Sequence, residues 1–123
     1  MEEKARGKIM TLKEYQKGVG RTRNLDIDEE EEMKNYCLGM ASEVGELIGH
    51  IKHVVFHKWK INRASAIEEM GDILWYVIAL ASVLDIEMKE IIEYNTFKLE
   101  KRYPKGFRIT DSLSREERKP KVP

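Results

Sequence analysis

Cysteine occurs once, at Cys37, which excludes an intramolecular disulfide framework and any zinc site built from several thiolates. Proline occurs three times, at Pro104, Pro120 and Pro123, so no proline interrupts the chain before position 104. The longest nearly apolar stretch, residues 73–84 with Ser82 as its one polar residue, has twelve residues, whereas a membrane-spanning helix needs about 20. Charge of one sign is missing overall: 22 Lys and Arg balance 22 Asp and Glu. Without a basic excess the chain does not read as a binder of nucleic-acid polymers. No phosphate-binding glycine loop and no dinucleotide fingerprint is present, and no internal repeat.

The 123 residues fit one domain of ordinary size, and 41% hydrophobic content is enough for a core, against a disordered chain. The opening MEEKARGK has no apolar stretch, so no secretion signal is expected and the expected location is cytoplasmic. The zero charge is a sum of alternating blocks: +4 over residues 1–23, −7 over 24–46, +4 over 47–63, −5 over 64–90 and +4 over 91–123.

Apolar residues recur at helical spacing throughout, which predicts an all-α chain. Helices are expected over residues 12–21, 30–57, 64–84 and 86–103. In the second, Met33, Cys37, Met40, Val44, Leu47, Ile51 and Val54 step by four and three, the pattern of a bundle seam. Cys37 then reads as a small core residue. Asn62 or Ser65 caps the third helix. Its second half is apolar on nearly every side, so it needs cover on every side, and part of that cover is expected from another subunit. Residues 1–10 are expected to be a flexible N-terminus, 11–107 the helical domain, and 108–123 a polar tail without order.

Two acidic pairs share one spacing: Glu43-Val-Gly-Glu46 on the second helix and Glu69-Met-Gly-Asp72 on the third. At i, i+3 both side chains of a pair leave the same side of the helix. At about 100° per residue, Glu43 and Glu46 lie about 80° and 140° to one side of the seam. Glu69 and Asp72 lie about 100° and 160° to the same side of Met70. Antiparallel packing of the two helices brings the pairs face to face. Four gathered carboxylates repel one another unless a cation is present, and hard divalent cations prefer oxygen donors. Gly45 and Gly71 each cost a helix about 1 kcal/mol relative to alanine, which a close helix approach or a ligand would offset. The competing reading is solvated helix-face charge on a non-catalytic oligomeric interaction protein.

Further residues surround these acids. Tyr76 stands one turn beyond Asp72. Trp59 and Trp75 are stacking candidates whose core or interface reading is stronger. Asn95, Lys98 and Arg102 make a polar stripe on the fourth helix, suited to phosphate or sugar. His50, His53 and His57 extend the side that carries Glu43 and Glu46. A di-iron carboxylate site is excluded because no Glu-x-x-His occurs.

These words resemble the MazG-like nucleotide pyrophosphohydrolases: Ser42-Glu-Val-Gly-Glu-Leu47, Glu68-Glu-Met-Gly-Asp-Ile-Leu74, and Asn95-x-x-Lys98 running into Lys101-Arg-Tyr-Pro-x-Gly-Phe107. Leu12-x-x-Tyr15-Gln16 resembles the start of short single-domain members, so the resemblance covers residues 11–107. It implies a four-helix bundle completed as a homodimer or homotetramer. It implies hydrolysis of a nucleoside triphosphate to the monophosphate and pyrophosphate, with phosphoribosyl-ATP as an alternative substrate. Glu43, Glu46, Glu69 and Asp72 would hold magnesium, with manganese as an alternative. Asn95 and Lys98 would contact the nucleotide, with Arg102 and Tyr103 beside them. Asn35 and Tyr76 fall where similar dCTP pyrophosphatases place a base-side asparagine and a tyrosine. The histidine stripe is not part of that pattern. Four ionised acids and a triphosphate of about −4 require two or three divalent ions with Lys98, and Arg102 beside it, to approach neutrality. Either Glu43 or Glu46 is expected as general base, with Glu46 preferred.

Overall fold

Thr11 starts the first helix of the computed structural model, which describes residues 10–114. Its side chain accepts the Glu14 backbone N–H at 3.1 Å and caps α1 (Leu12–Arg21). Asp28 does the same for Glu31 at 2.9 Å and opens α2 (Glu29–Phe56). The four glutamates 29–32 then fill the first turn, where negative charge suits the positive end of the helix dipole. Asn62, not Ser65, caps α3 (Arg63–Val83), accepting the Ser65 N–H at 3.0 Å. α4 (Met88–Arg102) and the short α5 (Ile109–Leu113) follow. No strand occurs among the described residues, so the chain is all-α as its periodicity predicts. α5 lies inside the stretch expected to lack order. The expectations for residues 1–9 and 115–123 fall outside the described residues.

The end of α3 explains the short connection to α4. Asp85 adopts a left-handed φ of 57°. Its N–H reaches Ser82 O at 3.2 Å, and the Ile86 N–H reaches Ala81 O at 2.8 Å. This double closure occupies the last carbonyls of the helix.

The chain divides into two compact units, Met1–Glu87 and Met88–Pro123. In the first, α2 and α3 form an antiparallel pair, and α1 lies against α3. Gln16 Nε2 donates to Ser82 Oγ at 3.3 Å and Ile86 O at 3.1 Å, while Trp75 Nε1 donates to Thr22 Oγ1 at 2.7 Å. Val19, Tyr36, Ile78, Ala79 and Ala81 are the buried hydrophobic residues of this unit. The second unit contains α4, a turn at Gly106 (φ 82°) and α5. In that turn the Tyr103 and Phe107 rings lie 5.3 Å apart.

The most buried residues of α2 lie beside the seam drawn from hydropathy, whose Met33, Met40, Val44, Leu47 and Val54 are half-buried. Glu32 and Tyr36 are buried, whereas Cys37 is exposed, which corrects its reading as a core residue. The packed stripe runs through Glu32, Tyr36, Gly39 and Glu43, turned towards the acidic side of the helix. Glu32 tolerates burial because Arg23 pairs with it through two bonds, Nε to Oε1 at 2.6 Å and Nη2 to Oε2 at 3.1 Å. The Tyr36 hydroxyl donates to the same Oε1 at 2.5 Å.

Candidate functional site

Three contacts set the register of α2 on α3. Gly39 meets the Tyr76 ring: a Cβ at this glycine would collide with ring carbons and stand 2.6 Å from Oη. One turn further on, Glu43 faces Asp72 and Glu69. At the far end the His50 ring accepts the Asn62 backbone N–H at 3.2 Å through Nε2. The numbers rise along one helix and fall along the other, so the two acidic pairs meet.

Glu43, Glu69 and Asp72 each offer a carboxylate oxygen, and these oxygens lie within 4.8 Å of one another. Glu43 and Glu69 are half-buried and Asp72 is exposed, which relieves the burial cost expected where Asp72 leads into an apolar run. Glu43 beside it, then partial burial and the charge of Glu46, push the Glu69 carboxyl up to about 7. Glu69 Oε2 is buried with no hydrogen-bond donor. A half-buried carboxylate oxygen without a donor, inside a set of acidic oxygens, fits a hard divalent cation. Glu46 is exposed and close enough to Glu69 to raise its pKa, but it stands outside the group of three. The glycines do not serve a close helix approach: a Cβ at Gly45 or Gly71 would meet nothing within 4 Å.

Beside the acids is a pocket of about 410 Å³ lined by Thr22, Glu43, Asp72, Trp75 and Tyr76, a volume within the range of small-molecule sites. Its aromatic wall is continuous with the interior. Trp75 meets Tyr76 edge-on at 5.2 Å between centroids, and Tyr36 meets Trp75 edge-on at 5.5 Å. Tyr76 thus lines the same pocket as Glu43 and Asp72. Asn35 is exposed on α2 and is not among the lining residues.

Sequence reasoning missed Thr22, Tyr36 and the Arg23–Glu32 pair, and it left Trp75 out of the site. One signal was available: Glu32, Tyr36, Gly39 and Glu43 step by four, three and four on a single stripe.

The remaining candidates stand in the second unit. Asn95 is exposed on α4, Lys98 and Arg102 are half-buried on the same helix, and Tyr103 follows its last turn. His50 and His53 lie near the end of α2 and His57 is its C-cap, beside the α2–α3 connection. His53 stacks on Trp59 at 4.3 Å and 14° and touches His57, while His50 receives Asn62. None of them joins the acidic cluster.

No helix among the described residues is long and apolar enough to cross a membrane. The family model of the MazG nucleotide pyrophosphohydrolase domain matches residues 31–107, from the first turn of α2 to Phe107. A curated relative, the Gene 37 protein of Mycobacterium phage L5, is 31% identical over 85 residues, which is 66% of this chain and 75% of the phage protein. No solved structure matches the chain. With acidic pairs meeting across two antiparallel helices and a family match that contains both, the chain belongs to the MazG nucleotide pyrophosphohydrolase domain family.

Proposed function

We propose that the chain hydrolyses nucleoside triphosphates, ribo or deoxy, to monophosphate and pyrophosphate. The carrying observation is the convergence of three carboxylates from two helices within 4.8 Å beside an aromatic-walled pocket. Glu43, Glu69 and Asp72 would hold magnesium, and Glu46 would complete the acidic set. Two or three ions, with Lys98 and Arg102, offset most of the charge of the acids and the triphosphate. Bound there, magnesium supplies charge neutralisation, polarisation of the phosphates and acidification of water.

The oxygen of a water attacks the α-phosphorus, the bond from that phosphorus to the bridging oxygen breaks, and pyrophosphate leaves. Glu46, exposed at the edge of the cluster, accepts the proton of the water. Asn95 and Lys98, with Arg102 and Tyr103, are the proposed phosphate and sugar contacts of the second unit. Asn35 and Tyr76 are the proposed base-side contacts.

Pyrophosphate release from a panel of ribo- and deoxyribonucleotides should require magnesium or manganese. Asp72→Asn should lower kcat at least about a hundredfold with the far-UV circular dichroism unchanged. Full activity in that variant would overturn the assignment.

We also place the working form at a homodimer or homotetramer. Leu38 and Ile48 on α2, and Ile67, Met70 and Leu74 on α3, are all at least 40% exposed. Apolar exposure of that extent needs a covering surface. Light scattering should give a mass of two or four chains; a monomer at micromolar concentration would count against this.

A further inference from the structure

We propose that Trp75 is the surface against which the nucleobase of the substrate packs, with Thr22 as the residue that positions it. This rests on the nucleotide reading above. The pocket lining combines two kinds of chemistry. Glu43 and Asp72 contribute carboxylates, and Trp75 and Tyr76 contribute aromatic rings. A ligand that satisfies both has an anionic, metal-binding end and a flat unsaturated end, and a nucleotide has both.

The hydrogen bonding of the wall decides what it offers. The indole N–H of Trp75 is spent on Thr22 Oγ1 at 2.7 Å. The Thr22 hydroxyl is spent in turn on Val19 O at 3.0 Å. Neither the indole N–H nor the threonine O–H is left to donate to a base edge, so Trp75 presents ring surface. Contact of that kind accepts every base, because every base has a π face.

The ring is also braced. Arg23 follows Thr22 directly and is tied to buried Glu32, and Tyr36, bound to the same carboxylate, lies edge-on to Trp75. A ring held from two sides loses little freedom when a base packs on it.

The test uses the full chain with Trp59→Phe, which leaves Trp75 as the sole tryptophan. Trp59 stacks on His53 in the connection, outside the pocket. With magnesium present, the α,β-methylene analogue of a nucleoside triphosphate should quench Trp75 fluorescence, and inorganic tripolyphosphate should not. Trp75→Leu should raise KM about ten- to a hundredfold for purine and pyrimidine substrates alike, with kcat within about threefold. Thr22→Val should raise KM, and Thr22→Ser, which keeps the acceptor, should restore it.

Hydrolysis without any quench, or equal quenching by tripolyphosphate, would overturn this inference and leave the hydrolase reading standing. A fall in kcat at unchanged KM in Thr22→Val would also overturn it. Neither hydrolysis nor binding of the analogue would overturn both. If Trp75→Leu fails to fold, the quenching comparison decides alone.

Discussion

Tyr36 and Glu32 show how single residues support the site from behind. Removing Arg23 leaves a carboxylate buried without its partner, so Arg23→Ala should cost about 3–5 kcal/mol, read from denaturant midpoints. The ion pair also sets an acid dependence. The Arg23 guanidinium holds the Glu32 carboxyl below its ordinary value of 4.5 against the opposing effect of burial, with Tyr36 assisting. A carboxyl depressed in the folded state stabilises the fold above its unfolded pKa, and that contribution is lost as pH falls through the folded value. The difference in melting temperature between the parent and Glu32→Gln should therefore be widest near neutral pH and should shrink below about pH 4.5. A gap that stays constant into acid would refute this account. None of it was legible beforehand, because hydropathy does not place a glutamate on a buried stripe. Only its partner, nine residues back in a loop, makes that placement possible.

At the scale of elements, the four longer helices were legible nearly to the residue, while the short α5 was not. The first was expected over 12–21 and is Leu12–Arg21; the second was expected over 30–57 and is Glu29–Phe56. Caps and period carry that information locally. The rotation of α2 about its axis was not local information. It follows from Tyr76 crossing at Gly39 and from Tyr36 packing on Trp75, which are contacts between distant segments. The acids were legible because their spacing repeats on two helices; the aromatic wall was not, because Thr22 reaches Trp75 from another element. The glycines of α2 separate on the same grounds. Gly39→Ala should destabilise the chain although alanine favours helix by about 1 kcal/mol, since its Cβ strikes the Tyr76 ring. Gly45→Ala should instead stabilise the chain by up to about 1 kcal/mol, since its Cβ meets nothing. Equal effects at the two positions in thermal unfolding would refute the packing argument.

For the molecule as a whole, the charge that cancels in the sum is strongly uneven in space. The two negative blocks meet where α2 faces α3, and like charges there oppose the pairing of helices that places them. Outside the acids, that interface carries the Tyr36–Trp75–Tyr76 rings and the His50–Asn62 bond at its far end. The fold thus brackets a repulsive patch between attractive ones. The donorless Glu69 oxygen is where this conflict is sharpest. Glu69→Gln removes one of the opposing charges. In chelator at pH 8 that variant should melt above the parent, and added magnesium should raise the melting temperature of the parent more than that of the variant. A lower melting point for the variant in chelator would refute this. The acidic cluster is then a deliberate frustration in an otherwise consistent sequence. Selection for stability alone would erase it, so a chain drifting towards greater heat resistance in the absence of metal would be losing the chemistry proposed for the cluster.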